Sequence, residues 1–171
     1  DVQENAALPK PTDNLIRAGD EMLVWANLEE PSTTDLKRTF RRLLNVVVAR
    51  DTKSTRRDDQ LNNLCNVILS KLEGDKAAKY SPDDPVPFQV WDTEEKTDEK
   101  IRELFHGMRR SHKDVFVSDN DTDINLDSHT LSTCAFELSK YKLMDTPISV
   151  ISEAFQIFRT SSLKSEEGQY Y

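Results

Sequence analysis

The only run in this sequence that approaches a metal-binding spacing is acidic, residues 119–123 (DNDTD). Counted from its first residue, the next two aspartates fall at positions three and five, as in the opening of an EF-hand calcium loop. Position six is Ile124 where that loop needs glycine, and position twelve is Thr130 where it needs a bidentate glutamate. We therefore interpret the run as an acidic loop that caps the following helix, with calcium binding as the disfavoured alternative.

The histidines and cysteines form no recognisable catalytic or metal site. His106 and His112 are six residues apart, which fits neither a zinc-binding helix nor a zinc finger, and His129 lies beside a predicted helix start. Cys65 and Cys134 lack metal-ligand spacing and are interpreted as reduced thiols of a cytosolic protein. The sequence contains no Ser-His-Asp arrangement, P-loop or glycine-rich dinucleotide turn. It therefore predicts no catalytic residue and no metal ion.

A basic face on one predicted helix is the best candidate for binding. Four cations point away from the apolar stripe of that helix at 100° per residue: Lys37, Arg38, Arg41 and Arg42. Contact with nucleic-acid phosphates or an acidic partner surface is the functional interpretation, and a solvated outer face is the alternative. The net charge of −8 opposes nucleic-acid binding, but the cations are clustered, so local charge decides.

Composition predicts one helical domain. The chain has 171 residues, of which 36% are hydrophobic, enough for a single core, and its four glycines argue against a turn-rich β fold. No apolar run approaches the roughly 20 residues that span a bilayer, and the first residues do not resemble a signal peptide, so we expect a cytoplasmic location. Residues 1–11 are predicted to be a disordered lead-in or linker, and residues 12–163 the helical domain.

Periodicity and capping signals predict an all-α bundle of about six helices. The first helix is predicted over residues 12–28, and the third from Asp58 to near Gly74. The second, which carries the basic face, restarts after Pro31 and has the clearest apolar stripe: Leu36, Phe40, Leu43, Leu44, Val47 and Val48.

Three further helices complete the predicted bundle. The fourth covers residues 94–110, the fifth begins near Asp127 or Ser128, and the sixth begins at Pro147. The sixth is predicted to bury four apolar side chains: Ile148, Ile151, Phe155 and Phe158. The proline-rich segment 80–92 is predicted to be extended or looped, with Phe88, Val90 and Trp91 fastening it to the core.

Three stretches resemble one known family. Residues 58–76 have an acidic start and a leucine stripe that leads into a Lys-Leu-acidic ending, and residues 138–158 end in an acidic–aromatic pair, Glu153 with Phe155. Residues 166–171 (EEGQYY) contain a Gly-Gln-aromatic-aromatic sequence. Together they resemble the amino-terminal helical domain of the modification subunit of type I restriction–modification systems, an adenine-N6 DNA methyltransferase.

The resemblance implies a cofactor site beyond the helical domain. In the family, the Gly-Gln-aromatic-aromatic sequence continues Thr-Pro into the methyltransferase domain, so residues 164–171 are expected to begin the connection to a catalytic domain that this sequence lacks. The resemblance implies that Gln169, Tyr170 and Tyr171 line the S-adenosyl-L-methionine pocket, where aromatic faces suit the adenosyl group and sulfonium. A plain linker is the alternative.

The function implied by the resemblance is DNA binding and subunit assembly, without catalysis by this chain alone. The implied partners are DNA, a specificity subunit and a second methylase subunit, with the restriction subunit as a further candidate. A nuclease-like domain before residue 1 would be compatible with the linker. The alternative is a non-enzymatic acidic helical domain that binds other proteins through its exposed helix faces.

Overall fold

The computed structural model of this chain describes residues 22–50, 56–112 and 123–170, the last ten as helical backbone. The described residues form five α-helices: α1 Thr33–Ala49, α2 Arg57–Tyr80, α3 Glu94–Ser111, α4 Ser128–Leu138 and α5 Ile148–Tyr170. A 3₁₀ turn at Trp25–Asn27 and an isolated bridge between Glu29 and Tyr141 are the other regular elements of this part of the chain. The predicted all-α fold is confirmed.

Three helices begin close to the predicted residues, and a side chain caps each of them. The Ser32 hydroxyl accepts a hydrogen bond from the Asp35 amide at 3.0 Å, and the Asp35 carboxylate accepts one from the Ser32 amide, which closes a capping box at α1. At α3 the Thr93 hydroxyl accepts a hydrogen bond from the Lys96 amide at 3.0 Å, a cap without the reciprocal bond. The carboxylate of Asp127 accepts from the Thr130 amide at 2.7 Å and so begins α4.

Helix α2 lies at the centre and contacts the other four helices. One core cluster includes residues from all five helices and from the segments between them. The ring of Phe40 on α1 stacks on Phe158 of α5, with centroids 5.3 Å apart, and meets the edge of Phe155 at the same distance. This aromatic cluster joins α1 to α5, as the predicted stripes of these helices required.

The ends of two predicted stripes are exposed, so those predictions were wrong. Val48 is 37% exposed and Ile148 is 76% exposed. Val48 lies in the last turn of α1 and Ile148 is the first residue of α5, where the partner helices no longer cover the stripe. None of the helices in the described part of the chain has the length and apolar character that a bilayer span requires.

The predicted first helix is not α-helical in its described part, residues 22–28; residues 12–21 lie outside the described residues, as does the predicted lead-in 1–11. The Leu23 amide donates to the Gln89 side-chain oxygen at 2.9 Å, and the Leu23 carbonyl accepts from the Val86 amide at 2.8 Å. The backbone of this segment is therefore satisfied by the segment that follows α2, which removes the need for helical hydrogen bonds.

Gly74 does not end α2, as was predicted, because the helix continues for six residues to Tyr80. A Cβ atom at Gly74 would lie 2.8 Å from the Phe88 Cβ and 3.2 Å from the Phe88 backbone nitrogen. The glycine thus permits close contact between α2 and the proline-rich segment, in which Phe88 is fully buried. Val90 and Trp91 are only partly buried.

We expect Gly74→Ala to lower the free energy of unfolding by about 1–3 kcal/mol, although alanine is the better helix former. The physical reason is the contact with Phe88, whose backbone would have to shift. Urea denaturation followed by circular dichroism measures the change, and Gly107→Ala is the matched control, because a Cβ there meets only the end of a flexible arginine at 3.7 Å. A stabilised Gly74→Ala protein would contradict the expectation.

Helix α5 continues as helical backbone to Tyr170, past residue 163, where the sequence predicted the end of the helical domain. The residues predicted to begin the connection, 164–170, therefore lie in the same helix as the core residue Phe158. Tyr171 lies outside the described residues.

Candidate functional site

The predicted basic face lies on α1, but two of its four cations connect α1 to other helices. The Lys37 ammonium lies 2.8 Å from the Glu153 carboxylate on α5, and the Arg42 guanidinium lies 3.1 Å from Glu137 on α4. Both contacts are partly exposed, so each is expected to contribute only about 0–1 kcal/mol and to remain open to competition by phosphate.

Arg38 and Arg41 are the more available cations of this face. Arg38 is 3.6 Å from Asp35 in the same helix, a long and exposed contact. In the described part of the chain, Arg41 is exposed and has no ion-pair partner. Lys140, which the sequence did not single out, acts electrostatically on the Asp35 carboxylate and therefore lies near the start of α1.

The predicted cofactor residues occupy the end of α5. Gln169 and Tyr170 belong to the last turn of its backbone, and Tyr171 lies outside the described residues. Their connection to the bundle passes through the aromatic cluster at Phe155 and Phe158. The cofactor assignment stays a prediction.

The end of the acidic run is held by an arginine. Arg102 on α3 makes a two-pronged contact with Asp98 and lies 3.0 Å from the Asp123 carboxylate. It also donates to the backbone carbonyls of Ile124 and Leu126 at 2.6 and 2.7 Å. The positive charge of Arg102 beside Asp123 opposes the binding of a metal cation at that carboxylate. The rest of the acidic run, residues 119–122, lies outside the described residues.

The histidines occupy separate places on the surface. His129 lies 2.6 Å from Glu94, and His106 lies 3.4 Å from Asp123. Among the residues that the structure describes, no three metal-ligating side chains come together. Both cysteines are free, and burial, assisted by the Glu137 charge, raises the pKa of the Cys134 thiol to about 12, which makes this thiol a poor nucleophile.

A fully buried ion pair lies in the C-terminal half of α2, and the sequence analysis missed it. The Lys71 ammonium is 2.7 Å from the Asp75 carboxylate, and both side chains have 0% exposure. Desolvation lowers the pKa of Lys71 and raises the pKa of Asp75, while their mutual attraction acts in the opposite direction for each. Each residue of the pair also makes hydrogen bonds to the connector between α4 and α5, residues 139–147.

The contacts with the connector are specific. The second carboxylate oxygen of Asp75 accepts from the Leu143 amide at 2.8 Å and from the Met144 amide at 3.3 Å, and Lys71 donates to the Ser139 carbonyl at 3.3 Å.

A signal for this pair was present in the sequence. Residues 64, 68, 71, 75 and 78 follow helical spacing, so the charged pair continues the stripe of buried Leu64 and Ile68.

We expect acid to destabilise the fold below about pH 4, because several carboxylates have lowered pKa values. The Thr130 amide lowers the pKa of Asp127, and burial of Asp123 is outweighed by hydrogen bonds from the Ile124 amide and Arg102, which lower its pKa. Around the unfolded pKa these two carboxyl groups bind more protons in the unfolded chain than in the folded chain. Their contribution to stability is therefore present above the unfolded pKa and is lost as the pH falls through the lowered folded pKa.

Urea denaturation between pH 2.5 and 7 measures this dependence. Asp127→Asn is the informative variant, since asparagine keeps the helix cap but removes the titrating group. We expect a flatter loss of stability in acid for this variant. A pH profile identical to that of the unchanged protein would contradict the assignment.

An exposed groove of about 550 Å³ lies at the end of α2, lined in part by Ala77, Tyr80 and Met144. Tyr80 is 90% exposed and Met144 is 41% exposed.

Neither protein-family models, nor curated proteins, nor solved structures matched this chain. The resemblance to type I methyltransferases therefore stays a prediction that rests on three stretches of the sequence.

Proposed function

We propose that this chain is the helical domain preceding the catalytic domain of a type I DNA adenine-N6 methyltransferase, and that it acts in the cytoplasm in DNA binding and subunit assembly. One observation supports this most directly. The two internal stretches with family resemblance, 58–76 and 138–158, meet at the buried pair, where Asp75 of the first stretch binds the Leu143 and Met144 amides of the second. These two stretches thus contact each other through the Asp75 carboxylate.

The acidic–aromatic pair of the second stretch also has a structural role. Glu153 pairs with Lys37, and Phe155 packs on Phe40, so both residues attach α5 to α1. Helix α5 ends in the Gly-Gln-Tyr sequence, which we expect to lead into the methyltransferase domain. In the complete enzyme S-adenosyl-L-methionine would supply the methyl group, and Gln169, Tyr170 and Tyr171 would contribute an amide and aromatic faces to its pocket.

The proposed DNA contact uses the available cations of α1. Arg38 and Arg41 would bind phosphates directly, while Arg42 would exchange its partly exposed contact with Glu137 for a phosphate. Such contacts hold the duplex without reading its sequence, which in this class belongs to a specificity subunit. The other proposed partners are a second methylase subunit and the restriction subunit.

The decisive experiment examines the gene product together with the codons after residue 171. A Thr-Pro continuation followed by a methyltransferase domain, and transfer of labelled methyl groups from S-adenosyl-L-methionine to adenine in duplex DNA with a specificity subunit present, would support the proposal. Absence of that domain would overturn it and favour a protein-interaction domain.

We expect the triple change of Arg38, Arg41 and Arg42 to alanine to weaken DNA binding by the full enzyme. Loss of up to three phosphate contacts should reduce the slope of log affinity against log salt concentration by about 2–3. Fluorescence anisotropy from 50 to 300 mM salt measures both quantities. The control changes three exposed lysines elsewhere, Lys76, Lys79 and Lys96, to alanine; equal effects from the two triple variants would show that only net charge matters.

A further inference from the structure

The connector between α4 and α5, residues 139–147, obtains its backbone hydrogen bonds from several other parts of the chain. The Lys142 amide donates to the Glu29 carbonyl at 2.8 Å, and the next two amides, of Leu143 and Met144, donate to the Asp75 carboxylate. Lys71 holds the beginning of the connector at the Ser139 carbonyl. The charged pair on α2 therefore supplies hydrogen-bond partners to backbone groups of the connector.

Helix α5 begins directly after this connector, with the Pro147 carbonyl accepting from the Val150 amide at 3.0 Å. It has two supports, the connector at its start and the aromatic cluster at Phe155 and Phe158. From Phe158 to Tyr170 the helix extends about 18 Å at 1.5 Å per residue. A tilt of about 10° around the second support would therefore move its far end by about 3 Å.

We propose that Lys71 and Asp75 are positioning residues that set the direction in which α5 leaves the bundle. Burial of an ion pair is weak evidence of stabilisation, because apolar residues of similar volume often serve as well. Its hydrogen bonds are directional, however, and each is made to a particular backbone group of the connector. The pair thus specifies where α5 begins. Only the consequence rests on the proposed function: the same pair would then orient Gln169 and Tyr170 toward the cofactor pocket.

Two spin labels measure the direction of α5 in the 171-residue chain. One label is attached at Glu103→Cys, an exposed position of α3, and the other at Lys164→Cys near the far end of α5. Cys65 is changed to serine to prevent labelling there, while Cys134 is fully buried. The test variant is Lys71→Met/Asp75→Leu. Its control is Lys79→Met/Asp145→Leu, which removes an exposed lysine–aspartate pair with the same 2.7 Å separation that joins α2 to the connector.

We expect the test variant to shift or broaden the distance distribution by about 3 Å or more, and the control to leave it unchanged. The amides of Leu143 and Met144 should exchange hydrogen about 10- to 100-fold faster in the test variant, since bonds to a charged acceptor are lost. Amides in the middle of α3 should keep their rates. If the pair contributed to stability alone, the exchange rates of all core amides would rise together and the distance between the two labels would not change.

An unchanged distance distribution would overturn the proposal, even with faster amide exchange. The packing of α5 on α1 would then be enough to set the direction of α5. If the double variant does not fold, Asp75→Glu provides the test: it keeps the charge but moves the carboxylate by one methylene, and it should displace the measured distance. Neither measurement involves DNA or methyl transfer, so its outcome is independent of the proposed enzymatic function.

Discussion

Asp75→Asn is expected to lower the free energy of unfolding by about 3–5 kcal/mol, as is typical when one member of a buried ion pair is removed. Asparagine has nearly the shape of aspartate, so the main change is loss of the charge that compensates the Lys71 ammonium, which has no exposure to solvent. The Leu143 and Met144 amides also lose a charged acceptor. Urea denaturation at pH 7, followed by circular dichroism, measures the change.

The exposed pair of Lys79 and Asp145 is the matched control, with the same separation of 2.7 Å. Asp145→Asn should cost about 0–1 kcal/mol, because water screens and replaces that contact. The double variant Lys71→Met/Asp75→Leu should recover part of the lost stability, since it leaves no unpaired buried charge, while the Leu143 amide still lacks its acceptor. Equal costs for Asp75→Asn and Asp145→Asn would contradict the importance of burial.

Phe40→Ala is expected to be similarly severe, with a loss of about 3–5 kcal/mol. The ring of Phe40 is fully buried, lies parallel to Phe158 within 11° and contacts Phe155 edge-on. Its removal would leave a cavity at the contact of α1 with α5, and Phe155 and Phe158 would each lose one ring contact. Thermal and urea denaturation measure the loss.

Phe136→Ala is the control for this prediction, because Phe136 is 45% exposed on α4. We expect that change to cost less than about 1 kcal/mol. A small effect of Phe40→Ala would indicate that α1 and α5 collapse into the space, and that the aromatic cluster is not the main attachment of α5.

Local signals in the sequence were sufficient to place three helix starts. Ser32, Thr93 and Asp127 cap their helices through side-chain contacts to amides three residues later, an interaction that depends on neighbouring residues only. Gly74 shows the limit of such signals. A glycine near the end of an apolar stripe is typical of a helix stop, but here it accommodates Phe88, which is distant enough in sequence that no local pattern indicates the contact.

The candidate sites show the same division. The face formed by Arg38 and Arg41 was predicted from helical spacing, and the structure places both on the exposed side of α1. The pairing of Lys37 with Glu153 could not be predicted, because it depends on how α5 lies on α1. Lys71 and Asp75 were not predicted to be buried, although they continue the stripe of Leu64 and Ile68, because an i, i+4 lysine–aspartate pair is equally common on solvent-exposed helix faces.

By itself, the sequence determined that this chain is all-α, where most of its helices begin and which apolar stripes they bury. These properties follow from hydrophobic periodicity and capping, which act over a few residues. The tertiary structure alone decided that residues 22–28 are not α-helical, that α2 continues through Gly74, and that a lysine and an aspartate occupy its buried face. Each of these outcomes depends on groups far away in the chain, at Gln89, Phe88 and Leu143, which supply the hydrogen bond or the close contact.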